Sequence, residues 1–326
     1  MLTNIIKLTR WNEWGYSKIP LFFAAGNIWL LNQNFSTAQT YLRFGSWITF
    51  VVLLLAYGYA LNDFCDKNDD KIAGKQNFMN EISSFKGAAS LVCLVFVAVF
   101  ALIPFYQEKR MILTAAINIL LATAYSLPPV RFKERGVGGL LVSSMAQRSL
   151  PLFVGIFLFH KLDAASAVLI VLFTLIGIRW IILHQLVDLP KDIESDVHTF
   201  TRQKGYYSTM QLMKKIVFPL EIVCLFVWLI LIARNHSEVL LIIPIYGVWL
   251  LIKFLFWRGK GKLFNWNSYW LHPLGDFYEI ILPVFLGVIL IFHHHDFILL
   301  FFLQIAWMSP FLLKQIRLSR KMLRNT

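Results

Sequence analysis

Apolar runs of membrane-crossing length recur from one end of this chain to the other and leave few folds open. They lie near residues 18–34, 45–62, 87–105, 111–127, 138–159, 165–187, 213–233, 238–257, 277–292 and 297–313. A helix needs about 20 apolar residues to cross the hydrocarbon core of a bilayer. Inside that core every backbone donor and acceptor must be satisfied within the segment, which favours helices. The penultimate run is short and its neighbours are close, so the pattern predicts nine to ten spans. The hydrophobic fraction of 58% and the mean hydropathy of +0.62 point the same way, since soluble domains are far more polar. Little sequence remains between the runs for a soluble domain. The expectation is an all-α polytopic membrane protein, with residues 1–326 forming one transmembrane domain.

The N-terminus reads as uncleaved, because Lys7 and Arg10 precede Trp-rich polar sequence rather than a compact apolar core. Cys65, Cys93 and Cys224 sit in or beside apolar runs and suggest no disulfide framework. Of the 31 Lys and Arg, ten spans would put only Arg43, Lys109, Arg110, Lys161 and Arg234 on one side. Arg148, Arg179 and Lys253 fall within helices, and all the others fall on the opposite side. The positive-inside rule makes that richer side cytoplasmic, which is the inner-membrane arrangement if the source is bacterial. The net charge of +13 is then inner-face topology and lipid contact. Nucleic acid is an unnecessary partner.

Carboxylates are scarce and unevenly placed. Of 18 acidic residues, eight lie in two windows: Asp63, Asp66, Asp69 and Asp70, then Asp188, Asp192, Glu194 and Asp196. Both windows end long apolar runs, and both open on the cytoplasmic face. Asp63, Asp66 and Asp70 are spaced to share one face of a continuing helix, with Asn62 four residues before Asp66. Asp188, Asp192 and Asp196 recur every fourth residue and form a second stripe, which a break or kink at Pro190 would disturb. Asp69 and Glu194 fall off the stripes. The windows end the second and sixth spans, a spacing that suggests a duplicated four-helix unit.

Crowded carboxylates at a membrane boundary repel one another and call for a cation. Hard oxygen donors suit Mg²⁺, which is commonly held by one or two carboxylates together with substrate phosphates. Two such clusters would bridge a diphosphate through Mg²⁺ and improve it as a leaving group. Thiolate ligation by Cys65 does not suit this donor set, and Cys65 reads as a small helix residue. Basic groups that could complete the clamp follow the fourth span in Tyr125-Ser126-Leu127-Pro128-Pro129-Val130-Arg131-Phe132-Lys133. Arg131 and Lys133 share the compartment of the acidic windows, and the paired prolines fix an extended turn that would hold them.

Together these residues resemble the UbiA superfamily of intramembrane prenyltransferases. Asn62–Asp70 reads N-D-x-x-D-x-x-x-D, Asp188–Asp196 reads D-x-x-x-D-x-x-x-D, and Tyr125–Lys133 is similar to the family's basic loop. Thr199–Gly205 resembles the segment that follows the second acidic motif. The likeness spans roughly residues 15 to 315, and three motifs in order make it specific. It implies a helical bundle around a central cavity that opens to lipid and binds an isoprenyl diphosphate with Mg²⁺ as cofactor. Carried over by position, Asn62, Asp63, Asp66 and Asp70 form one metal cluster, and Asp188, Asp192 and Asp196 the other. Asp66 and Asp192 are central to catalysis, Arg131 and Lys133 contact diphosphate, and Tyr125 lies near the allylic end. The implied reaction ionises the allylic C–O bond, joins the carbon to an electron-rich acceptor, and loses a proton. Aromatic faces can stabilise the allylic cation.

The stretch after the first motif, Lys71–Asn77 and then Asn80–Ser83, departs from the Arg-Pro-rich family pattern. The acceptor therefore stays open: an aromatic ring carbon of a quinone precursor, or alternatively haem, a carotenoid, or a sugar or glycerol phosphate. A cation transporter and a non-catalytic docking subunit are rival classes. Carriers usually bind near the midplane, and neither class accounts for Arg131 and Lys133 beside two aspartate stripes.

Other polar residues within the runs carry two readings. Gln147, Arg148 and His184 are candidate acceptor-binding groups, with His184 sharing the face of Asp188, and Gln185 is similar. Interhelical hydrogen bonding is the alternative. Arg179 reads as structural and Asn27 is ambiguous. His293-His294-His295-Asp296 reads as a solvated loop on the face opposite the acidic motifs, with no other ligand cluster visible there. The Trp257–Trp270 segment reads as an interfacial belt.

Overall fold

The computed structural model describes residues 2–32, 35–72, 74, 76–256 and 274–324, and within them every regular element is helical. Ten helices carry the apolar runs: α1 (Ile19–Leu31), α2 (Thr37–Cys65), α3 (Ser84–Phe100), α4 (Lys109–Ser126), α5 (Val137–Leu158), α6 (Ala164–Glu194), α7 (Tyr206–Ala233), α8 (Ser237–Leu255), α9 (Phe277–His293) and α10 (Ile298–Arg324). Five of them, α2, α5, α6, α7 and α8, are long and apolar enough to cross a membrane. Shorter apolar helices are α1, α3 and α9. The Trp257–Trp270 segment lies outside the described residues.

The helix starts follow local chemistry. Pro20 opens α1, where its missing N–H costs nothing. Asp163 caps α6 by accepting from the Ser166 amide at 2.7 Å, and Ser83 caps α3 through the Lys86 amide. Pro190 sits inside α6 without ending it.

The chain forms two compact units. The first comprises Met1–Trp11 and Gly45–Trp228, the second Asn12–Phe44 and Leu229–Thr326. In the first unit, α6 packs on the start of α5, and the end of α5 packs on α4. The α5–α6 approach requires Gly177, since a Cβ there would lie 2.3 Å from Ser144 Oγ and 3.1 Å from Ser144 Cα. Close approach over small residues is a common way for apolar helices to associate in a bilayer. Trp47 Nε1 donates to the Pro151 carbonyl at 2.7 Å, and the Tyr57 and Thr123 hydroxyls bond at 2.7 Å, joining α2 to α5 and α4. Arg179 on α6 meets Glu221 on α7 through two bonds of 2.6 and 3.0 Å, with both side chains fully buried. Arg179 thus pairs structurally, as its sequence context suggests.

In the second unit α1 packs on α9. Asn27 and Gln304 exchange amide hydrogen bonds at 3.0 and 2.9 Å, which gives Asn27 an interhelical role. Lys253 within α8 bonds Asp276 at 2.8 Å, and Trp249 Nε1 donates to the same carboxylate at 2.6 Å. Paired in this way, the buried Lys253 ammonium does not stand alone.

Candidate active site

Every site residue expected from the sequence lies in the first unit. The first motif ends α2 and continues through the short helix Lys67–Ile72. The Asp66 amide donates to the Asn62 carbonyl at 2.9 Å and the Asp70 amide to the Asp66 carbonyl at 2.8 Å, so the helical register carries across the junction. Asn62, Asp66 and Asp70 therefore stack as the spacing predicts. Asp63 and Asp66 are buried, and a buried carboxylate needs compensating partners.

Those partners come from three directions. The Lys133 ammonium, itself buried, bonds the Asp66 carboxylate. Arg131 spans Asp66 at 3.2 Å and Asp69 at 2.5 Å, while its Nε meets Glu134 at 3.0 Å. Arg10, preceding α1, bonds Asp63 at 3.0 Å. Asn77 donates to the Asp63 carbonyl at 2.7 Å and to Asp70 at 2.8 Å, fastening the chain after the motif back onto it. Ser126 at the end of α4 donates to Asn62 at 3.3 Å.

The basic loop has its own determinants. A cis peptide joins Pro128 and Pro129, and Arg131 adopts a left-handed backbone with φ 39°. Lys133 then falls in the turn Phe132–Glu134, whose backbone lies against the first turn of α5. Only glycine fits there: a Cβ at Gly139 would be 2.5 Å from the Phe132 carbonyl oxygen and 3.2 Å from that of Lys133. Both obstacles are backbone, so the loop itself must move to admit a side chain. Gly139→Ala is expected to lower thermal stability by several degrees and to weaken binding of a diphosphate ligand about 10-fold or more, on the scale of a charge-assisted hydrogen bond. Unchanged melting and unchanged diphosphate affinity would show that the loop position is unimportant.

The second motif ends α6. Asp192 is buried and accepts from the Thr199 hydroxyl at 3.0 Å. Asp188 is half-buried, with His184 Nε2 at 3.6 Å. The stripe stops there. The helix ends at Glu194, and Asp196 turns out of register with φ 57° and a side chain 80% exposed. Arg202 bonds Asp196 at 2.6 Å and holds its carboxyl below the ordinary range. A second Arg202 nitrogen donates to the Asp192 carbonyl at 3.1 Å, covering a helix-end acceptor.

Tyr125 on α4 lies within electrostatic reach of both Asp66 and Asp192, and its hydroxyl bonds Ser143 on α5. Gln147 donates to the same Ser143 hydroxyl at 2.8 Å. Gln147 and the buried Arg148 sit in a π turn, Met145–Ser149, that interrupts α5. Such turns often mark functional sites. Gln185 faces elsewhere, accepting from the amide and hydroxyl of Thr201. His184 is 54% exposed. The structure thus gathers Asp63, Asp66, Asp70, Arg131 and Lys133 around the first motif, and relates Tyr125 to both motifs. It adds Asp69, Arg10, Asn77, Ser143 and Thr199, which helical spacing alone does not single out.

The sequence profile of the UbiA prenyltransferase family matches residues 19–274. The chain belongs to the UbiA prenyltransferase family. Solved UbiA structures share the fold. A UbiA homolog from Archaeoglobus fulgidus bound to DMAPP and Mg²⁺ superposes with a TM-score of 0.60 at 14% identity, covering 94% of this chain and 99% of that one. The same homolog bound to GPP and Mg²⁺ gives 0.59 at 14% identity with the same coverage. Its Cd²⁺-bound form gives 0.56 at 15% identity, again over 94% and 99% of the two chains. No curated protein matches the chain significantly in sequence. The UbiA assignment thus rests on the profile, and the solved structures support the fold.

Proposed function

We propose that this UbiA protein transfers an isoprenyl group from an allylic diphosphate to a small acceptor, with Mg²⁺ as cofactor and release of diphosphate. The observation that supports this reading is a buried carboxylate in each motif, Asp66 and Asp192, with the basic loop residues Lys133 and Arg131 bonded to the first of them. The donor set fits Mg²⁺. It consists of oxygen ligands only, the donors Mg²⁺ prefers, and Mg²⁺ commonly completes its shell with substrate phosphates. Bound there, the metal would supply positive charge to the departing diphosphate.

The residues divide the work. Asn62, Asp63, Asp66 and Asp70 on one side, and Asp188, Asp192 and Asp196 on the other, are the proposed metal-binding groups, with exposed Asp196 at the margin. Arg131 and Lys133 take diphosphate oxygens as they now take carboxylates. The allylic C–O bond breaks with its electron pair leaving on diphosphate. Tyr125 presents a π face to the resulting cation. The acceptor carbon then supplies the electron pair of the new C–C bond and loses its proton. Gln147 and Arg148 are the proposed acceptor contacts, with His184 at the periphery. We favour an aromatic ring carbon as acceptor, with haem, a carotenoid, or a sugar or glycerol phosphate as the alternatives. The excess of Lys and Arg supports a cytoplasmic location for the site.

The test is release of diphosphate from allylic diphosphates of several chain lengths by purified protein, with Mg²⁺ or with chelator. Mg²⁺-dependent release is expected, together with a rise of about 10-fold or more in apparent KM for Arg131→Ala and Lys133→Ala, since hydrogen bonds to charged groups contribute about 1.5–3 kcal/mol. Absence of release from folded protein at every chain length would overturn the proposal. Unchanged KM in both variants would remove the basic pair from diphosphate binding.

A further inference from the structure

The second unit brings His293 to two residues far from it in sequence. His236 precedes α8, Glu238 lies in the first turn of α8, and His293 ends α9. One imidazole nitrogen each of His236 and His293 and a Glu238 carboxylate oxygen all lie within 4.8 Å of one another. Glu238 Oε1 is 3.3 Å from His236 Nδ1 and 2.8 Å from His293 Nε2, and the two rings meet edge to face at 5.4 Å. The loop His293–Asp296 is largely exposed, as the sequence suggests, but the expectation of no other ligand groups nearby is corrected here. Folding, rather than the run of adjacent histidines, supplies the convergent groups.

We propose that His236, Glu238 and His293 form a second metal site, distinct in chemistry from the aspartate motifs and suited to Zn²⁺ or a similar transition-metal ion. The orientation of His236 is the independent support. Its Nε2 lies 3.1 Å from Asn32 Oδ1, which fixes the ring from behind and turns Nδ1 toward Glu238 at 3.3 Å. In the neutral ring protonated on Nε2, Nδ1 would offer its lone pair to a cation shared with Glu238. Metal-bound histidines usually donate their other N–H to an oxygen in this way. Zinc bonds of about 2.0–2.1 Å at tetrahedral angles separate ligand atoms by about 3.3 Å, the distance from His236 to Glu238, whereas the 2.8 Å hydrogen bond from His293 to Glu238 has to open to admit an ion. His293 is the more accessible ligand, with 45% of its side chain exposed against 10% for His236. Three protein ligands leave a fourth position for water. Two imidazoles and one carboxylate favour Zn²⁺, Co²⁺, Ni²⁺ or Cu²⁺ over Mg²⁺. An ion held there ties the chain ahead of α8 to the end of α9, with Asn32 beyond α1 behind it.

The full-length protein in detergent, with Mg²⁺ in large excess to occupy the aspartate sites, is titrated with Co²⁺ and followed by visible absorption. One equivalent is expected to bind, with the intense bands of a four- or five-coordinate nitrogen–oxygen site. Asp66→Asn should leave that titration unchanged. Glu238→Gln, which keeps the side-chain size, and His293→Gln, on the exposed side, should each weaken binding at least 10-fold. The melting temperature should rise with Zn²⁺ in the wild type and in Asp66→Asn, and not in Glu238→Gln or His293→Gln. If wild-type protein binds no Co²⁺ under excess Mg²⁺, or if Glu238→Gln and His293→Gln bind it as the wild type does, the site does not exist.

Discussion

Asp66→Asn is expected to reduce prenyl transfer by about 10²–10³-fold or more while the protein still folds, and Asp192→Asn to do the same. This is the scale on which removal of one preorganised electrostatic partner acts in an active site. Both carboxylates are buried, and Tyr125 lies within electrostatic reach of both. The two substitutions differ in their structural side effects. Asparagine at 66 leaves the buried Lys133 ammonium without the charge it bonds, so some loss of stability accompanies the loss of turnover. Asparagine at 192 keeps an oxygen for the Thr199 hydroxyl, so the local fold should survive intact. Turnover measured beside thermal unfolding separates these effects. Near-normal rates in both variants would remove the aspartates from metal binding.

The largest effect on stability is expected at Arg179 and Glu221. The two side chains are fully buried and doubly hydrogen-bonded, and the guanidinium also lies 5.3 Å from the Trp180 ring and 5.8 Å from that of Phe218. Removing one partner leaves a buried charge uncompensated, at a cost of about 3–5 kcal/mol. Arg179→Leu and Glu221→Leu should each lower the unfolding temperature in detergent by many degrees. The double variant should regain much of that loss, because an apolar pair of similar volume removes the unpaired charge. Equal or additive losses in the double variant would show that the ion pair is not the source of the effect.

Much of this architecture is legible in the sequence because hydropathy is a local property. Among the described residues the apolar runs fall mainly on helices, five of them long and apolar enough to cross a membrane. The aspartate and basic motifs are equally readable, since their spacing within one helix or turn fixes which residues stack. What local periodicity does not carry is the identity of the element packed opposite. Asp69 falls off the helical stripe, yet its carboxylate bonds Arg131, because the basic loop crosses on that side. Asp196 falls on the extrapolated stripe and leaves it, because α6 stops at Glu194 and Arg202 draws the carboxylate outward. Glu221 as the partner of Arg179, and His236 and Glu238 as neighbours of His293, depend on pairings across 42 and 55 residues or more. Asn77 and Thr199 are short polar residues with ordinary capping roles, and nothing in their own neighbourhoods shows that each also bonds a motif aspartate.

The Arg179–Glu221 pair also bears on how the protein reaches its membrane. An arginine near the centre of a lone helix costs about 2.5–3.5 kcal/mol at the translocon, and an acidic residue at such a position a comparable amount. Insertion of α6 and α7 as a pair would bring both charges into lipid already neutralised. The buried pair therefore favours a helical hairpin over single helices as the unit that enters the bilayer.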